Sequence, residues 1–444
     1  MVTREIYWAI PGHEWMYVPA AVAMGVFIYG MWARLHLIRL GTRGSLAASH
    51  GARIRALVMD GLLQRRFWTD LYASLMHLFI LWGMLTLAFG TAMVLLKADL
   101  GLPVFQGDFY LWLSLALDAL GLAAIVGVVM GLVRRYVLRP QRLDNRAEDA
   151  LVLSGLLVVF VVGFVLEGLR MAAVPDPWHA WSPVGWALSA AFSGMSAGTL
   201  ETTYQVLWWF HLLTACALIA AVPFTKLLHM ATAPSNQMSA ADRTARGVLA
   251  PIDFTDETRE LYGLGDVAEL DRRARLSLEA CTRCGRCQDV CPAYASGKAL
   301  TPKQVILDLR RWLEDAQLKW SFGSRAKGAE SPSVDGAGQA HGDGSGPSSI
   351  EREVIWACTT CAACTQVCPV CIEHPPLIVE LRQFLVMMES AIPSEGQLAL
   401  RNIETNYNPW GIGWADRAAW VGAASAAAAD SDLAVAVEPE GGAS

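Results

Sequence analysis

Long apolar stretches alternate with arginine-rich stretches over the first half of the chain. The apolar stretches cover roughly residues 15–34, 70–96, 109–133, 150–169 and 204–230. Each is long enough to cross the hydrocarbon core of a bilayer as a helix, which takes about 20 residues. The pattern predicts five transmembrane helices before residue 235. The first stretch lacks a basic leader and a small-residue cleavage site, so it is predicted to be a retained anchor.

The loops between these stretches differ sharply in charge. Arginines concentrate in the loop between helices one and two and in the loop between helices three and four: Arg34, Arg39, Arg43, Arg53, Arg55, Arg65, Arg66, Arg134, Arg135, Arg139, Arg142 and Arg146. The alternate loops carry little beyond Lys97 and Arg170. Because positively charged loops stay on the cytoplasmic side, we expect a multi-pass protein of the cytoplasmic (inner) membrane, with its N-terminus outside and its C-terminus in the cytoplasm.

The second half of the chain has a different pattern. Residues 236–275 form a polar linker that becomes an amphipathic helix, and apolar residues recur at helical spacing at 302–320 and 375–390. Glycine, serine, alanine and proline dominate 321–349, which predicts a disordered insertion. The expected organisation is therefore a membrane domain at 1–235, the linker, a soluble domain at 276–420 with that insertion, and a disordered tail at 421–444. The predicted fold class is mostly α.

Composition supports this division. Hydrophobic residues make up 54% of the 444 residues and charged residues only 17%, which is typical of a membrane protein with a soluble part. The formal net charge of -6 gives no indication of nucleic-acid binding. Because no G-x-G-x-x-G or phosphate-binding loop occurs, the sequence predicts no nucleotide or flavin site.

Eight of the ten cysteines follow one spacing, C-x2-C-x2-C-x3-C-P, which occurs twice. In two-cluster ferredoxins the first three cysteines of such a run bind one cubane and the fourth binds the other. We therefore predict one [4Fe-4S] cluster on Cys281, Cys284, Cys287 and Cys368, and a second on Cys358, Cys361, Cys364 and Cys291. A four-thiolate zinc site is the alternative. Clustered cysteines of this kind indicate metal binding in a reducing compartment.

Three histidines lie within the predicted helices. His211 and His229 are 18 residues apart, which on one helix is five turns and about 27 Å along the same face. His77 is the other deep histidine. An imidazole within the membrane is costly unless it has a partner, and haem iron is one such partner. The alternatives are a hydrogen bond across helices or, for His229 and His36, a position at the cytoplasmic headgroups.

Residues 208–234, from Trp-Trp-Phe-His211 through Pro223-Phe-Thr-Lys-Leu-Leu-His229 to Pro234, resemble the last helix of the nitrate reductase gamma subunit. That family is a five-helix cytochrome b with two stacked b haems. The resemblance implies that His77 pairs with His211 on the outer haem. The family's other histidine on helix two, ten residues earlier, corresponds here to Phe67, which cannot ligate. One b haem is therefore expected; a second stays open, with His229 and His36 as its candidate ligands.

The same resemblance implies a quinol-binding lysine at the outer end of helix two, where Lys97 stands. The alternative for Lys97 is an interfacial lysine whose charged end reaches the headgroups. Asp118 lies inside helix three, where an unpaired carboxylate is expensive. It is a candidate proton relay for quinone; pairing with Lys97 or a hydrogen bond that supports the haem are the alternatives.

The soluble part resembles heterodisulfide-reductase-like proteins in its cysteine runs, in Gly297-Lys-Ala-Leu-Thr-Pro-Lys303 and in Asn408-Pro-Trp-Gly411. The whole chain is similar to membrane oxidoreductases that link electron-transfer flavoprotein to menaquinone. Those proteins continue into two cysteine-rich domains that are not visible here, so a separate subunit is expected to supply them unless they are absent.

This resemblance implies electron transfer between menaquinone and a cytoplasmic partner, either an electron-transfer flavoprotein or a cysteine-rich subunit of the heterodisulfide reductase type. One alternative is a quinol-oxidising subunit that feeds a cytoplasmic disulfide or sulfur reductase. The more distant alternative is a zinc-containing membrane scaffold or transporter.

Overall fold

The computed structural model describes residues 6–42, 49–240, 249, 252–257, 259–321 and 350–423. Apart from their first residues, the predicted insertion at 321–349 and the predicted tail from 421 lie outside these ranges. The described part is helical and contains no β-strand, which confirms the predicted fold class.

The helices in chain order are α1 (Tyr17–Arg39), α2 (His50–Ala56), α3 (Leu71–Ala98), α4 (Gly107–Val133), α5 (Ala147–Ala173), α6 (Pro183–Phe192), α7 (Ala197–Ala221), α8 (His229–Ser239), α9 (Arg272–Glu279), α10 (Arg286–Asp289), α11 (Pro292–Ala295), α12 (Pro302–Ser321), α13 (Arg352–Trp356), α14 (Ala363–Val367), α15 (His374–Met387) and α16 (Ser394–Asn406).

Five helical segments in the described part are long and apolar enough to span a membrane: His13–Arg39, Leu71–Ala98, Gly107–Leu138, Ala147–Ala173 and Ala197–Phe224. They correspond to the five predicted stretches, and the chain is a multi-pass membrane protein. A short apolar helix, α6, lies in the loop before the last span.

The last span differs from its prediction. α7 ends at Ala221, the chain passes through Pro223, and Thr225 is extended at φ -125° and ψ 179° before α8 begins at His229. Proline has no N–H to donate to the carbonyl four residues earlier, so the α-helix ends before it. A single helix over 204–230 was therefore the wrong expectation, and His211 and His229 do not share a helix face.

Small residues let α3 and α4 approach closely. A Cβ on Gly83 would lie 2.5 Å from Cβ of Ala124, and one on Gly127 would lie 2.8 Å from the carbonyl oxygen of Met76. Without a hydrophobic driving force between helices in lipid, such close contact supplies the packing energy. His77 lies on α3, one of these two closely packed helices.

Ion pairs join the bundle to the cysteine-containing segment. Arg34 contacts Glu279 at 3.2 Å and Glu314 at 2.7 Å, and Arg142 contacts Asp289 at 2.6 Å. The Glu279 side chain is fully buried. Both arginine-rich loops therefore lie at the same end of the bundle as the cysteine runs.

The bundle and the cysteine segment belong to one compact unit that ends at Arg382. A second unit begins at Gln383 and contains α16 and a 3-10 turn at Trp414–Ala418. In that turn the Arg417 guanidinium lies over the Trp414 ring, 3.9 Å from its centroid.

Candidate functional site

The two cysteine runs fold into matching loops. In the first run Arg283 and Gly285 have positive φ, 56° and 74°, and in the second Thr360 and Ala362 have φ of 54° and 59° at the equivalent positions. Alternation of right- and left-handed residues turns successive backbone N–H groups toward one side, a concave arrangement found around phosphates and iron–sulfur clusters. Both loops therefore fit an anionic cluster.

Thiols of the second run lie close to the first run. Burial raises the pKa of Cys287, and the neighbouring thiols of Cys284, Cys368, Cys281 and Cys364 raise it further. Burial also raises the pKa of Cys368, and the nearby thiol of Cys284 raises it further. Cys368 therefore lies near Cys284 and Cys287 of the first run.

The second set is built in the same way. Burial raises the pKa of Cys364 to about 12, and among the neighbouring thiols that raise it are Cys358, Cys361 and Cys291. Buried thiols of this kind ionise only when a cation compensates the charge, which the iron of a cluster would do. Cys361 is exposed, so this set reaches the protein surface.

Backbone groups also point at the sulfurs. Thr360 donates its N–H to Cys358 Sγ at 3.4 Å, and Ile372 donates to Cys368 Sγ at 3.3 Å. Such bonds are among the factors that set the reduction potential of a cluster. Among the described residues, no three histidine, cysteine or acidic side chains converge closely enough to hold a single metal ion. The corners of a cubane hold their ligands further apart than one ion does.

Two histidines face each other at the end of the bundle nearest the cysteines. His77 is in the second turn of α3 and His229 begins α8, and their ring centroids are 6.0 Å apart with planes at 62°. Nδ1–H of His229 donates to the Lys226 carbonyl at 2.5 Å, and Nδ1 of His77 is 2.7 Å from Nε2 of Gln64. In His229 the Nε2 lone pair is therefore left for a metal, which is the usual arrangement of a histidine ligand. In His77 the Nε2 lone pair is left for a metal only when Nδ1 carries the ring proton.

The family resemblance implied that His211 pairs with His77, whereas in the structure the ring next to His77 is that of His229. His211 lies instead beside α5, with its Cε1 3.5 Å from where a Cβ on Gly163 would be. His36, the other candidate partner of His229, stacks on Trp32 of its own helix with ring centroids 5.5 Å apart. The break after α7 is the cause, because it carries His229 off the line of that helix.

His77 lies near the start of α3, and Phe67 precedes that helix in a 3-10 turn. Ten residues after His77, Leu87 packs into the core formed by α4 and α5 around Ala124, Val128 and Phe160. Neither of these two residues, ten positions before and after His77, has a side chain that could bind iron.

A short chain of contacts joins the first cysteine loop to the histidine pair. The Arg286 guanidinium lies 4.9 Å from the ring centroid of Phe67, and Phe67 stacks on His77 at 5.1 Å. From the other side, Asn236 of α8 donates to the Val370 carbonyl at 2.7 Å, two residues after Cys368. The cysteine set that includes Cys368 is thus the one nearer to the histidines.

The two residues predicted for a quinone site lie elsewhere. Lys97 is at the far end of α3 with its Nζ 5.9 Å from the centroid of the Phe105 ring. Asp118 is buried and its carboxylate accepts the backbone N–H groups of Val184 at 2.9 Å and Gly185 at 3.2 Å. Asp118 therefore holds the start of α6, a structural role that its sequence position did not reveal.

Sequence reasoning missed several residues of this site. Gln64 contacts His77, and the Arg286 guanidinium lies over the Phe67 ring. Gln237 donates to the Pro369 carbonyl at 2.9 Å. The available signals were weak: an amide before an apolar helix, an arginine inside a C-G-R-C loop and an Asn-Gln pair after His229. None of these signals specifies a partner that is distant along the chain.

Taken together, the fold and the site define a multi-pass membrane segment joined to a segment with two iron–sulfur-type cysteine runs. Residues 71–243 match the nitrate reductase gamma subunit family, and residues 280–372 match the 4Fe-4S dicluster domain. The chain joins a nitrate reductase gamma-type membrane segment to a dicluster segment, as the sequence predicted.

Two curated relatives match this chain over most of its length. The chain is 33% identical over 430 residues to the EtfAB:quinone oxidoreductase of Syntrophomonas wolfei subsp. wolfei, covering 92% of this chain and 60% of that protein. It is 29% identical to the probable iron-sulfur-binding oxidoreductase FadF of Bacillus subtilis, covering 91% and 60%.

The chain therefore spans about 60% of the length of these two relatives. It is also 25% identical to one subunit of the dihydromethanophenazine:CoB--CoM heterodisulfide reductase of Methanosarcina acetivorans, covering 48% of this chain and 87% of that subunit. No solved structure shows significant similarity to this chain.

Proposed function

We propose that this chain passes electrons between a soluble redox partner and membrane quinone through two [4Fe-4S] clusters and one b haem. The two crossed cysteine sets would hold the clusters, and His77 and His229 would hold the haem. When bound, these groups supply one-electron transfer, and the protein's contribution is to hold them close together and tune them. One observation carries the proposal: an unbroken series of contacts from the cysteine sets to the histidine pair.

The order of the carriers follows from burial and contact. The second set includes exposed Cys361, so a partner protein reaches that end. The first set is connected to His77 through Arg286 and Phe67. The proposed sequence of carriers is therefore partner, second cluster, first cluster, haem and quinone, with either direction of flow set by the potentials.

The partner is proposed from the relatives. The EtfAB:quinone oxidoreductase name supports an electron-transfer flavoprotein as the soluble partner and a quinone, menaquinone in our proposal, as the membrane one. The arginine-rich loops lie at the end of the bundle that carries the cysteine sets, which supports a cytoplasmic position for these sets in the inner membrane. The soluble partner would then dock from the cytoplasm.

A second candidate is a quinol-oxidising subunit that feeds a cytoplasmic disulfide or sulfur reductase through a cysteine-rich partner. The observation that favours it is the match to 87% of the length of a heterodisulfide reductase subunit. The two candidates share all cofactors and differ in the soluble partner. Purification from the native membrane separates them, because only the second predicts a co-purifying cysteine-rich subunit with disulfide reductase activity.

The quinone is proposed to react close to the His77–His229 pair. Lys97 is 20 residues beyond His77 on α3, which corresponds to about 30 Å along the helix. That span is too long for efficient transfer from a single haem at the other end. Replacing Lys97 with alanine should therefore leave the rate of menaquinone reduction unchanged. Loss of that rate would instead favour the outer quinone site with Lys97 that the family resemblance implies.

The direct test uses the full chain purified in lipid nanodiscs. Reduction with dithionite should give a b-type alpha band and the low-temperature EPR signals of reduced [4Fe-4S] clusters, with about one haem per eight cluster irons. H77A and H229A should each lose the haem and keep the cluster signals. A preparation with zinc in place of iron, or haem retained in both histidine variants, would contradict the proposal.

A further inference from the structure

Gln64 holds an unusual position beside His77. Its side chain is 3% exposed, and its Nε2 lies 2.7 Å from Nδ1 of His77. Its backbone is left-handed at φ 52° and ψ 39°, which a residue with a side chain adopts only at a cost and usually at sites where the surroundings require it. Its carbonyl accepts the N–H of Phe67 at 2.8 Å. One residue thus touches His77 directly and also shapes the turn that stacks Phe67 on it.

The amide can serve His77 in only one orientation if that ring is to bind iron. A neutral imidazole has one N–H and one lone pair, and the nitrogen that donates a hydrogen bond is not the one that binds metal. If the amide nitrogen of Gln64 donates to Nδ1, the ring proton must be on Nε2, and Nε2 then has no lone pair for the iron. The amide oxygen in the same place would accept Nδ1–H and leave the Nε2 lone pair for the iron.

The surroundings permit that orientation. Oε1 of Gln64 has no hydrogen-bond partner among the described residues, so a rotation of the amide by half a turn breaks no hydrogen bond of the oxygen. Amide oxygen and nitrogen differ little in shape, and their assignment follows from the hydrogen-bond network. The opposite ring already has the matching arrangement, because Nδ1–H of His229 donates to the Lys226 carbonyl.

We propose that Gln64 is a positioning residue for the haem. Its side-chain oxygen accepts Nδ1–H of His77, fixes the tautomer that presents Nε2, and with Phe67 on the ring face sets the orientation of the imidazole. This inference rests on the proposed haem ligation by His77 and His229. It adds a residue outside the ligand set that tunes how strongly His77 donates electrons to the iron.

The test replaces Gln64 in two ways in the full chain. Q64L keeps the size of the side chain but removes the acceptor, so His77 becomes a weaker donor and the haem midpoint potential should rise. Q64E provides a stronger, anionic acceptor, so the potential should fall. The readouts are the haem midpoint potential from a spectroscopic titration and the g-values of the oxidised haem by EPR. Q205L is the matched control, because Gln205 donates to the Ala9 carbonyl at the other end of the bundle.

The outcomes separate this inference from the proposed function. If H77A and H229A retain haem, the ligation proposal fails and the inference falls with it. If they lose haem while Q64L and Q64E both keep the wild-type potential and g-values, the ligation stands and the role of Gln64 is overturned. Opposite shifts in the two variants support it, as does haem loss in Q64L alone. Haem loss in both overturns it, because the carboxylate of Q64E can accept the same hydrogen bond.

Discussion

The first cysteine loop depends on close packing at Gly285, and this can be tested with a single methyl group. Gly285 has φ 74°, and a Cβ there would lie 2.8 Å from Cβ of Arg142 and closer still to its carbonyl oxygen. Ordinary contact begins at 3.4 Å and the carbonyl oxygen is the nearest atom, so the two loops would have to separate by about one ångström. Overpacking of this kind costs about 1–3 kcal/mol, and the left-handed conformation costs alanine about 1–2 kcal/mol.

The expected penalty of G285A is therefore about 2–5 kcal/mol, the sum of these two effects. The loop also carries Cys284 and Cys287, so the damage should fall on the first cluster. We expect G285A to lose about half of the cluster iron and the EPR signal of the cluster nearer the haem, and to bleach at lower temperature than the wild type. The measurements are iron content, EPR of the reduced protein and thermal bleaching of the iron–sulfur absorbance.

Two positions in the same segment separate the packing effect from the backbone effect. Gly297 has φ 78°, and no atom lies within 4 Å of where its Cβ would be, so G297A should carry only the backbone cost of about 1–2 kcal/mol and keep both clusters. Ala362, the equivalent residue of the second run, already has φ 59°. This loop therefore accepts an alanine in the left-handed conformation when no other atom crowds its Cβ. If G285A and G297A behave alike, the contact with Arg142 does not matter and the reasoning is wrong.

Three further predictions follow from the site and its junction. C368S should remove the cluster of the first run and C291S that of the second, read from EPR; loss of the cluster in the same run instead would refute the crossing. H211A should leave the haem content unchanged, as measured by the pyridine haemochrome spectrum, whereas haem loss would restore His211 as a ligand. E279Q removes a buried charge that lies 3.2 and 3.3 Å from two arginines, so it should cost about 3–5 kcal/mol; an unchanged thermal transition would contradict this.

The sequence alone determined the features that depend on local pattern. Five apolar stretches predicted five spanning helices, because a bilayer of fixed thickness selects for length and composition. The repeated cysteine spacing predicted two clusters, because ligands that lie close along the chain must wrap one cubane. The fusion of a nitrate reductase gamma-type segment to a dicluster segment could also be recognised from motifs.

Only the tertiary structure decided which distant residues meet. Counting turns assigned His211 and His229 to one helix, but a proline and an extended residue after α7 separate them and bring His229 to His77. The burial of Asp118 under α6 and the contact of Gln64 with His77 join residues whose own sequence surroundings do not indicate them. These contacts arise from loops and helix breaks that pack against other parts of the chain, where helical periodicity carries no information about the partner.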